Sequence, residues 1–581
     1  MSIPRAGTRS DLSGVAADPA LDQWWTMPVQ RRVLVVATTV TSLQRLLIIL
    51  PVVAEDPHIQ VVFTRDIESP TVLSGGAAEA VAALQCLELP WNEVRDLTWD
   101  LILTASETDR VYQLQGPCLL LAHGAGYQKL DLAHRSVAGL GRDRLMHGGQ
   151  VVHAAIGLSH PAQRHVLAQT CPEAVDRGRV IGDPCLDIML DQRHRRDHYR
   201  EALGIGDRQL VVLSSTWGPD SLLGRHFDLP QRVVAGLDPD RYVCCLLTHP
   251  GIAAAHGPRQ LRQWLDPAHR LGLVTIAAGQ QWEPIMLSAD VVVADEGSIA
   301  AYASALDLPL VAAGGRSWTM PDDSVPAQLA QRASHLSMDR DIQPQIEAAI
   351  SDHQAGRYAD LADRVFDAPG SSAARIRALC YQLMDLPEPP MPASFEPVAL
   401  PAMSASQPTA FTVAIGNDQA EPGIPEVRRR PATPDSCAPP PGDDPHLVVH
   451  GLDGPADLLT RAEVLYVEDN VCAAVGQFQD WATAAFRTRP EAHLTALAID
   501  ASRCVVIARD GTVHEITTDE GPREPAPRGP SSSALALASL AYARLRHGLP
   551  LEGAFVARLG GSRQTVVARA PRDDHGVALR E

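Results

Sequence analysis

The chain has 581 residues, of which 45% are hydrophobic, 20% charged and 4% aromatic, and its formal net charge is −19. This length predicts several domains with substantial hydrophobic cores. The low aromatic content argues against a base-stacking surface for nucleic acid, and the negative charge disfavours nonspecific binding to nucleic acid or to acidic membranes.

The ten cysteines are scattered, without the close pairs that metal sites or redox motifs use. No signal peptide is recognisable ahead of them, so we expect reduced thiols and a cytoplasmic location. The apolar stretch 33–53 is interrupted by Arg45 and by a polar turn at 38–42. It is therefore predicted to be a strand and a helix, and no transmembrane segment is expected.

Residues 1–30 are aperiodic and are predicted to form a flexible leader. From residue 31, short β-branched runs alternate with segments of helical spacing, which is typical of a parallel sheet covered on both faces. Residues 31–190 are predicted to form a first Rossmann-like domain. Its strands are expected at 33–37, 59–63, 101–103, 118–121, 151–155 and 180–181, and its helices at 43–54 and 75–87.

The same alternation repeats over 191–385, which is predicted to be a second Rossmann-like domain. It opens with a polar helix, 191–203, on which His194 and His198 are four residues apart. No acid completes an HExxH pattern, so a metal site is not favoured there. Strands are expected at 210–213, 242–247, 271–276, 291–294 and 310–312, and helices at 327–334, 344–351 and 373–384.

The composition changes after these two domains. Residues 386–445 contain EPPMP, PATP and APPPGDDP and are predicted to be a partly extended, Pro-rich linker. Residues 446–581 are predicted to form a smaller accessory α/β domain, with strands at 464–467, 494–499 and 504–508 and a helix at 533–546. The fold class is therefore α/β, with two doubly wound domains separated by a cleft in which a ligand would bind.

The turn Asp295-Glu296-Gly297-Ser298 is central to the functional prediction. It follows the predicted strand 290–294 and opens a helix predicted over 299–306. Such a turn directs backbone N–H groups and the positive end of a helix towards the carboxyl edge of a parallel sheet, where phosphates bind. Every βαβ unit has a turn of this kind, so an ordinary connection is an equally valid interpretation of this turn alone.

A second turn carries a candidate base and the only lysine of the chain. His123 follows the strand 118–121, and a histidine titrates near neutrality, as a general base requires. Gly124 and Gly126 would let a ligand approach the backbone, and Lys129 follows them. The alternative is a structural histidine beside a glycine turn.

Further polar groups follow other predicted strands. His249 precedes Pro250 at the end of 242–247. Three hydroxyl groups follow the strand 210–213, and they belong to Ser214, Ser215 and Thr216.

Four of these turns, in this order, resemble motifs of the GT-B glycosyltransferases and, among them, of the CDP-glycerol glycerophosphotransferases that polymerise teichoic acids. The matching segments are His123-Gly124 with Lys129, Gly182-x-Pro184-x-x-Asp187, His249-Pro250 and Asp295-Glu296-Gly297-Ser298. The resemblance covers roughly residues 31–380. The motifs are nearly as similar to those of the non-hydrolysing UDP-N-acetylglucosamine 2-epimerases, although the acidic catalytic residues of that family are not apparent in the first domain.

The resemblance implies a donor linked to CDP or UDP, bound mainly by the second domain, and a hydroxyl acceptor deprotonated by His123. His249, Ser298 and the backbone at Gly297 would stabilise the departing diphosphate with help from Lys129, and neither a cofactor nor a metal is implied. Glu296 departs from the family pattern, because a carboxylate beside a phosphate turn repels a diphosphate unless it is directed away.

The C-terminal segment resembles the end of ribokinase-type sugar kinases in the turn Arg509-Asp510-Gly511 and the small-residue helix that follows. The position of that family's catalytic aspartate falls near 529–534, where no aspartate is present. The resemblance implies an inactive accessory module, with peripheral contact to a membrane or a protein partner.

Three hypotheses follow. The first is a transferase that moves a glycosyl or glycerophosphoryl group, in the chemistry of the cell envelope. The second is a catalytically degenerate GT-B scaffold that binds a partner or a polymer. The third is an epimerase acting on a UDP-sugar.

Overall fold

The computed structural model describes residues 29–570 apart from short internal gaps, which are 55, 69–73, 132–135, 278, 316–319, 405, 418–420, 422, 435–439, 441, 469–471, 473–474, 501 and 519–531. The predicted leader, 1–30, lies outside the described residues except for 29 and 30. Among the described residues, none of the helices combines the length and the apolar composition that a membrane crossing needs.

The first domain is built on a parallel sheet of six strands, as the alternating pattern predicts. From one edge to the other the strands are Gly178–Val180, Ala155–Leu158, Cys118–Leu120, Leu101–Thr104, Arg31–Val36 and Ile59–Thr64. Its helices are Val40–Val53, Ala77–Ala83, Trp91–Val94, Arg142–Leu145, Ala162–Thr170 and Pro184–Asp191, with 3₁₀ turns at Val111–Gln113 and Pro172–Arg177. Two short hairpins pair Leu130–Asp131 with Ser136–Val137 and Met146–His147 with Gln150–Val151. The central strand residues Val33, Val35, Leu101 and Leu103 are buried in one cluster.

The second domain repeats this architecture. The strands of its sheet, in spatial order, are Ser334–His335, Leu310–Ala312, Val291–Ala294, Gln209–Ser215, Tyr242–Thr248, Val274–Ile276 and Met403–Ser404. All are parallel except Met403–Ser404, which adds an antiparallel edge. The helices are Arg196–Ala202, Leu222–Arg225, Leu229–Gly236, Pro250–His256, Pro258–His269, Glu283–Ser288, Ser298–Ala305, Val325–Arg332, Ile342–Ser351, Ala359–Ala362 and Ser372–Leu383, with a 3₁₀ turn at Gln192–Arg195.

One helix joins the two domains. Helix Ser372–Leu383 belongs to the second half of the sequence, yet Ile376, Leu379 and Cys380 are buried in the core of the first domain. Asp187 accepts hydrogen bonds from the backbone N–H groups of Gly370 and Ser372 at the start of this helix. The two parallel-sheet domains are therefore tied together by this helix.

The C-terminal region, predicted to be a smaller α/β domain, contains strands and helices, and its strands form a closed barrel. Around the barrel the strands are Ala410–Asn417, Pro425–Pro431, Gly553–Leu559, Ser562–Arg569, Val513–Thr518, Arg503–Ala508, Leu494–Asp500, Val464–Glu468 and Asp443–His450. Helix Ser532–Arg546 shares one hydrophobic cluster with these strands. Two further helices, Ala456–Leu459 and Val475–Thr488, complete the region.

The interval 386–445 is not simply a linker, because its second half supplies strands of this barrel. The expectation of a Pro-rich linker is therefore wrong for 410–417 and 425–431. Strand Pro425–Pro431 has proline at both ends and arginine at its buried positions 429 and 430, so it lacks the apolar alternation that identifies strands.

Candidate functional site

A cavity of about 380 Å³ lies between the two parallel-sheet domains and is lined by residues of both. In the first sheet the chain reverses its direction of travel beside strand Arg31–Val36, and in the second sheet it does so beside strand Gln209–Ser215. Open parallel sheets bind ligands outside the carboxyl ends of their strands at such switch points. The cavity thus occupies the place where this fold class holds ligands.

Most of the residues that the sequence singles out line this cavity. They are His123, Gly124, Gly126, Lys129, Ser214, Ser215, Thr216, His249, Gly297 and Ser298. Asp295 and Glu296 belong to the same turn as Gly297 and Ser298, but they are buried and are not part of the lining.

The hydrogen bond of His123 selects one neutral form of its ring. Nδ1 lies 3.1 Å from the carbonyl oxygen of Ala105, at the end of the neighbouring strand. Since a carbonyl oxygen only accepts, Nδ1 carries the proton and Nε2 keeps its lone pair in the neutral ring. The exposed imidazole is therefore oriented to accept a proton.

His249 has the complementary tautomer. Its Nδ1 accepts a hydrogen bond of 3.0 Å from the backbone N–H of Gly251 and caps helix Pro250–His256. The proton of the neutral ring then lies on Nε2, which is a donor. Burial, followed by the nearby charges of Lys129 and His123, lowers the pKa of His249 to about 3, so this donor is uncharged near neutral pH.

The tip of helix Ser298–Ala305 touches the turn that carries His123. Ser298 Oγ accepts a hydrogen bond of 3.2 Å from the backbone N–H of Ala125 in the opposite domain. A Cβ on Gly124 would lie 2.6 Å from the same oxygen. Gly124 therefore permits the close approach of the second domain. The sequence predicted a different role for it, the close approach of a ligand to the backbone.

Gly126 has a packing role as well. Its φ is +67°, and a Cβ there would lie 2.3 Å from Gln163 Nε2. A glycine is needed at this position because it combines a left-handed backbone with a close contact to helix Ala162–Thr170.

Lys129 brings a positive charge to the cavity. Its Nζ lies 5.4 Å from the centroid of the Trp217 ring. Burial lowers the pKa of Lys129, and the negative charge of Asp295 opposes this effect. A desolvated ammonium group of this kind gains from an anionic partner.

Asp295 connects its own turn to the loop that follows strand Gln209–Ser215. Its Oδ2 accepts hydrogen bonds from the backbone N–H groups of Thr216 and Leu222, both at 2.8 Å, and from Thr216 Oγ1 at 2.9 Å. Ser215 Oγ likewise accepts from the backbone N–H of Leu223 at 3.1 Å. These polar groups hold the loop after strand Gln209–Ser215 in place beside the cavity.

In the Gly182-x-Pro184-x-x-Asp187 turn, the two acidic residues Asp183 and Asp187 both have structural roles. Asp183, for which the sequence predicts no role, caps helix Pro184–Asp191 by accepting hydrogen bonds from the backbone N–H groups of Cys185 and Leu186. Asp187 instead accepts a hydrogen bond from the backbone N–H of Ser372, at the start of helix Ser372–Leu383.

Arg45 is a bridging residue that the sequence indicated only as an interruption of an apolar run. Its guanidinium contacts Asp183 at 3.2 Å, the carbonyl oxygen of Gly124 at 2.9 Å and Tyr302 Oη at 2.9 Å. Tyr302 belongs to the second domain, so the buried ion pair of the first domain extends across the cleft. The arginine inside an apolar helix was the signal that could have identified this residue. A buried arginine is rarely unpaired, so its presence predicts a partner such as Asp183.

The cavity lining also contains aromatic rings and a carboxyl group. Trp282 and Tyr302 have ring centroids 5.3 Å apart, and Glu283 and Cys185 line the same cavity. Burial raises the pKa of Glu283. The sequence predicts a ligand-binding role for none of these residues.

By its chemistry, the lining contains two sets of residues. Lys129, the two histidines and the tip of helix Ser298–Ala305 suit anionic groups, since helix N-termini and ammonium groups favour negative charge. The aromatic residues Trp282 and Tyr302 suit a flat, apolar group with polar edges. Within the described residues, no three His, Cys, Asp or Glu side chains are arranged as ligands of a metal ion.

No protein-family model and no curated protein matches the sequence. Several solved structures are similar to the chain. The wall teichoic acid polymerase TagF has 12% identity and a TM-score of 0.43 over 61% of this chain and 89% of its own. MnaA of S. aureus, solved with UDP, has 10% identity and a TM-score of 0.39 over 62% and 99%. The UDP-GlcNAc 2-epimerase of Neisseria meningitidis, solved with UDP-GlcNAc, has 11% identity and a TM-score of 0.37 over 61% and 100%. These neighbours include both kinds of protein whose motifs the sequence resembles.

Proposed function

We propose that this protein is a transferase that binds a nucleotide-activated donor in the cavity between its two parallel-sheet domains and transfers a glycosyl or glycerophosphoryl group to a hydroxyl acceptor. The observation that carries the proposal is the meeting of His123, Lys129, His249 and the tip of helix Ser298–Ala305 around one cavity. These groups come from opposite domains, and each supplies a function that such a transfer requires.

The proposed roles follow from the protonation states of these groups. His123 Nε2 takes the proton of the acceptor hydroxyl as its oxygen bonds to the transferred group. The bond between that group and the nucleotide phosphate breaks, and the negative charge left on the phosphate is stabilised by Lys129, by the N–H of His249 and by the helix tip. The chemistry consists of positioning and charge stabilisation by the protein.

Isothermal titration against CDP-glycerol and a panel of UDP- and GDP-sugars tests donor binding. We expect saturable binding of at least one donor. The absence of binding across the whole panel would contradict the proposal. Product analysis without an acceptor then separates transfer from epimerisation, since an epimerase converts its sugar nucleotide alone.

His123→Ala tests the proposed base. We expect turnover to fall at least about 100-fold while the donor Kd stays within about threefold, because general-base catalysis contributes on that scale. His226→Ala is the control, since His226 is exposed and lies outside the cavity lining. Unchanged turnover in His123→Ala would assign the base to another group.

The contact across the cleft favours a second candidate, a scaffold that binds a partner without catalysis. Ser298 Oγ, at the helix tip proposed to hold the phosphate, already bonds to the Ala125 backbone, and Arg45 reaches Tyr302 across the same cleft. This alternative predicts that His123→Ala leaves the cellular phenotype intact.

A further inference from the structure

The carboxyl group of Glu283 is buried without a full set of partners. Its residue is 3% exposed at the start of helix Glu283–Ser288. Within the described residues, Oε2 has no hydrogen-bond partner, whereas Oε1 accepts from Cys185 Sγ at 3.4 Å. A buried polar atom without a partner is costly, and such atoms in native proteins call for an explanation.

Neighbouring charge does not explain this carboxyl group. The nearby cation is Arg45, and its guanidinium is engaged by Asp183, the Gly124 carbonyl and Tyr302. Among the described residues, no ion pair includes Glu283. Glu283 lines the cavity, and a molecule bound there is the partner that remains to be considered for its unpaired oxygen.

The surroundings indicate what kind of group would lie there. Trp282 and Tyr302, whose ring centroids are 5.3 Å apart, line the same cavity as Glu283. Tyr302 is four residues after Ser298 on one helix, so the two residues lie about one helical turn, roughly 5–6 Å, apart. A flat ring attached to a phosphate at the helix tip is therefore within reach of Tyr302 and of Trp282 beside it.

We propose that Glu283 is a specificity-determining residue that binds a nucleobase carrying an exocyclic amino group. This inference rests on the proposed function and names the substrate class of the same site. A carboxyl group accepts a hydrogen bond from the amino group of cytosine, adenine or guanine. Uracil presents carbonyl oxygens on both sides of its N3–H, and these repel the carboxyl oxygens.

Equilibrium binding of CDP, ADP, GDP and UDP to the full-length protein tests this assignment. For the wild type, we expect at least one amino-bearing nucleotide to bind about tenfold or more tighter than UDP, which is the scale of a specific base contact. The three amino-bearing nucleotides identify the base. In Glu283→Gln we expect the preference over UDP to fall below about threefold, because a glutamine amide pairs with either pattern.

Glu107→Gln is the matched control, because Glu107 also lines the cavity but lies in the first domain. It removes the same charge and should keep the preference. A wild type that binds UDP as tightly as the others, or a preference that survives Glu283→Gln, would overturn the role of Glu283 alone. A wild type that binds none of the four would refute the proposed function and this inference together. Should Glu283→Gln fail to fold, the wild-type ratio still decides.

Discussion

At the scale of single residues, the contact between Gly124 and Ser298 shows how the two domains come close enough to share a site. A side chain on Gly124 would bring Cβ to 2.6 Å from Ser298 Oγ, a distance at which one of the two must move. The next nearest atom, Ser298 Cβ, would lie 3.7 Å away, which is ordinary contact. The hydroxyl oxygen of Ser298 is therefore the atom that a methyl group on residue 124 would clash with.

Gly124→Ala should consequently be destabilising in the wild type and much less so in a Ser298→Ala background. We expect a loss of about 1–3 kcal/mol in the free energy of unfolding for the single variant, as for other overpacked sites. In the double variant the added cost should fall below about 1 kcal/mol, because the clashing oxygen is gone. Urea denaturation measures both differences. Equal costs in the two backgrounds would show that the domains do not meet at this point.

The sequence predicted one class of cavity residues and missed another. His123 and His249 could be found because each follows a predicted strand, and parallel strands end at one edge. Arg45 and Glu283 lie on helices, and their importance depends on partners such as Asp183 and Cys185 that are distant in sequence. No local pattern records which helical side chain will face a cavity between two domains.

At the scale of elements, a buried ion pair fixes the barrel to the second domain. Arg429, on strand Pro425–Pro431, makes two hydrogen bonds of 2.7 and 2.6 Å to Asp240, and the two side chains are 6% and 7% exposed. Arg430 pairs with Asp341 beside it at 2.7 Å. Strand Met403–Ser404 also extends the sheet of the second domain just before the barrel begins.

Asp240→Asn should destabilise this junction strongly. Removing one partner of a buried pair leaves the other charge uncompensated, which costs about 3–5 kcal/mol. We expect a lower urea midpoint and faster proteolysis within 386–409. Asp360→Asn is the control, since the Arg332–Asp360 pair is 39% and 62% exposed and should contribute less than about 1 kcal/mol. An effect of Asp240→Asn as small as that of the control would mean that the barrel is held by other contacts.

The same pair explains why the barrel was not predicted. Strand Val291–Ala294 has the predicted bounds because four apolar residues are buried on both faces. In strand Pro425–Pro431, burial is achieved by neutralising arginines with aspartates of another domain, which hydropathy cannot reveal. Strands that depend on such long-range pairing are invisible to a local pattern.

At the scale of the whole molecule, the second domain separates the barrel from the cavity. Asp240 lies just before strand Tyr242–Thr248, and His249 follows its other end. A strand of seven residues spans about 23 Å, so the barrel docks at the edge opposite the cavity. The barrel therefore leaves the cavity to the two parallel-sheet domains, and its contact with a partner or a membrane stays a prediction.

Because the chain has a single lysine and it lines the cavity, chemical modification of lysine reports on that cavity alone. Its one lysine, Lys129, lines the cavity, and burial lowers the pKa of its amine, which increases the fraction of reactive free base. A bound diphosphate should cover the amine and favour its charged form. Covering the amine and favouring its charged form both slow acetylation, so we expect saturating nucleotide to reduce the acetylation rate of Lys129 about tenfold. Peptide mass spectrometry measures this rate. A small free amine, N-(4-aminobutyl)acetamide, is acetylated in the same tube and serves as the reference that no protein protects. Should Lys129 react equally fast with and without a nucleotide that binds, the diphosphate must lie elsewhere, and the charge stabilisation assigned to this lysine would have to come from His249 and the helix tip.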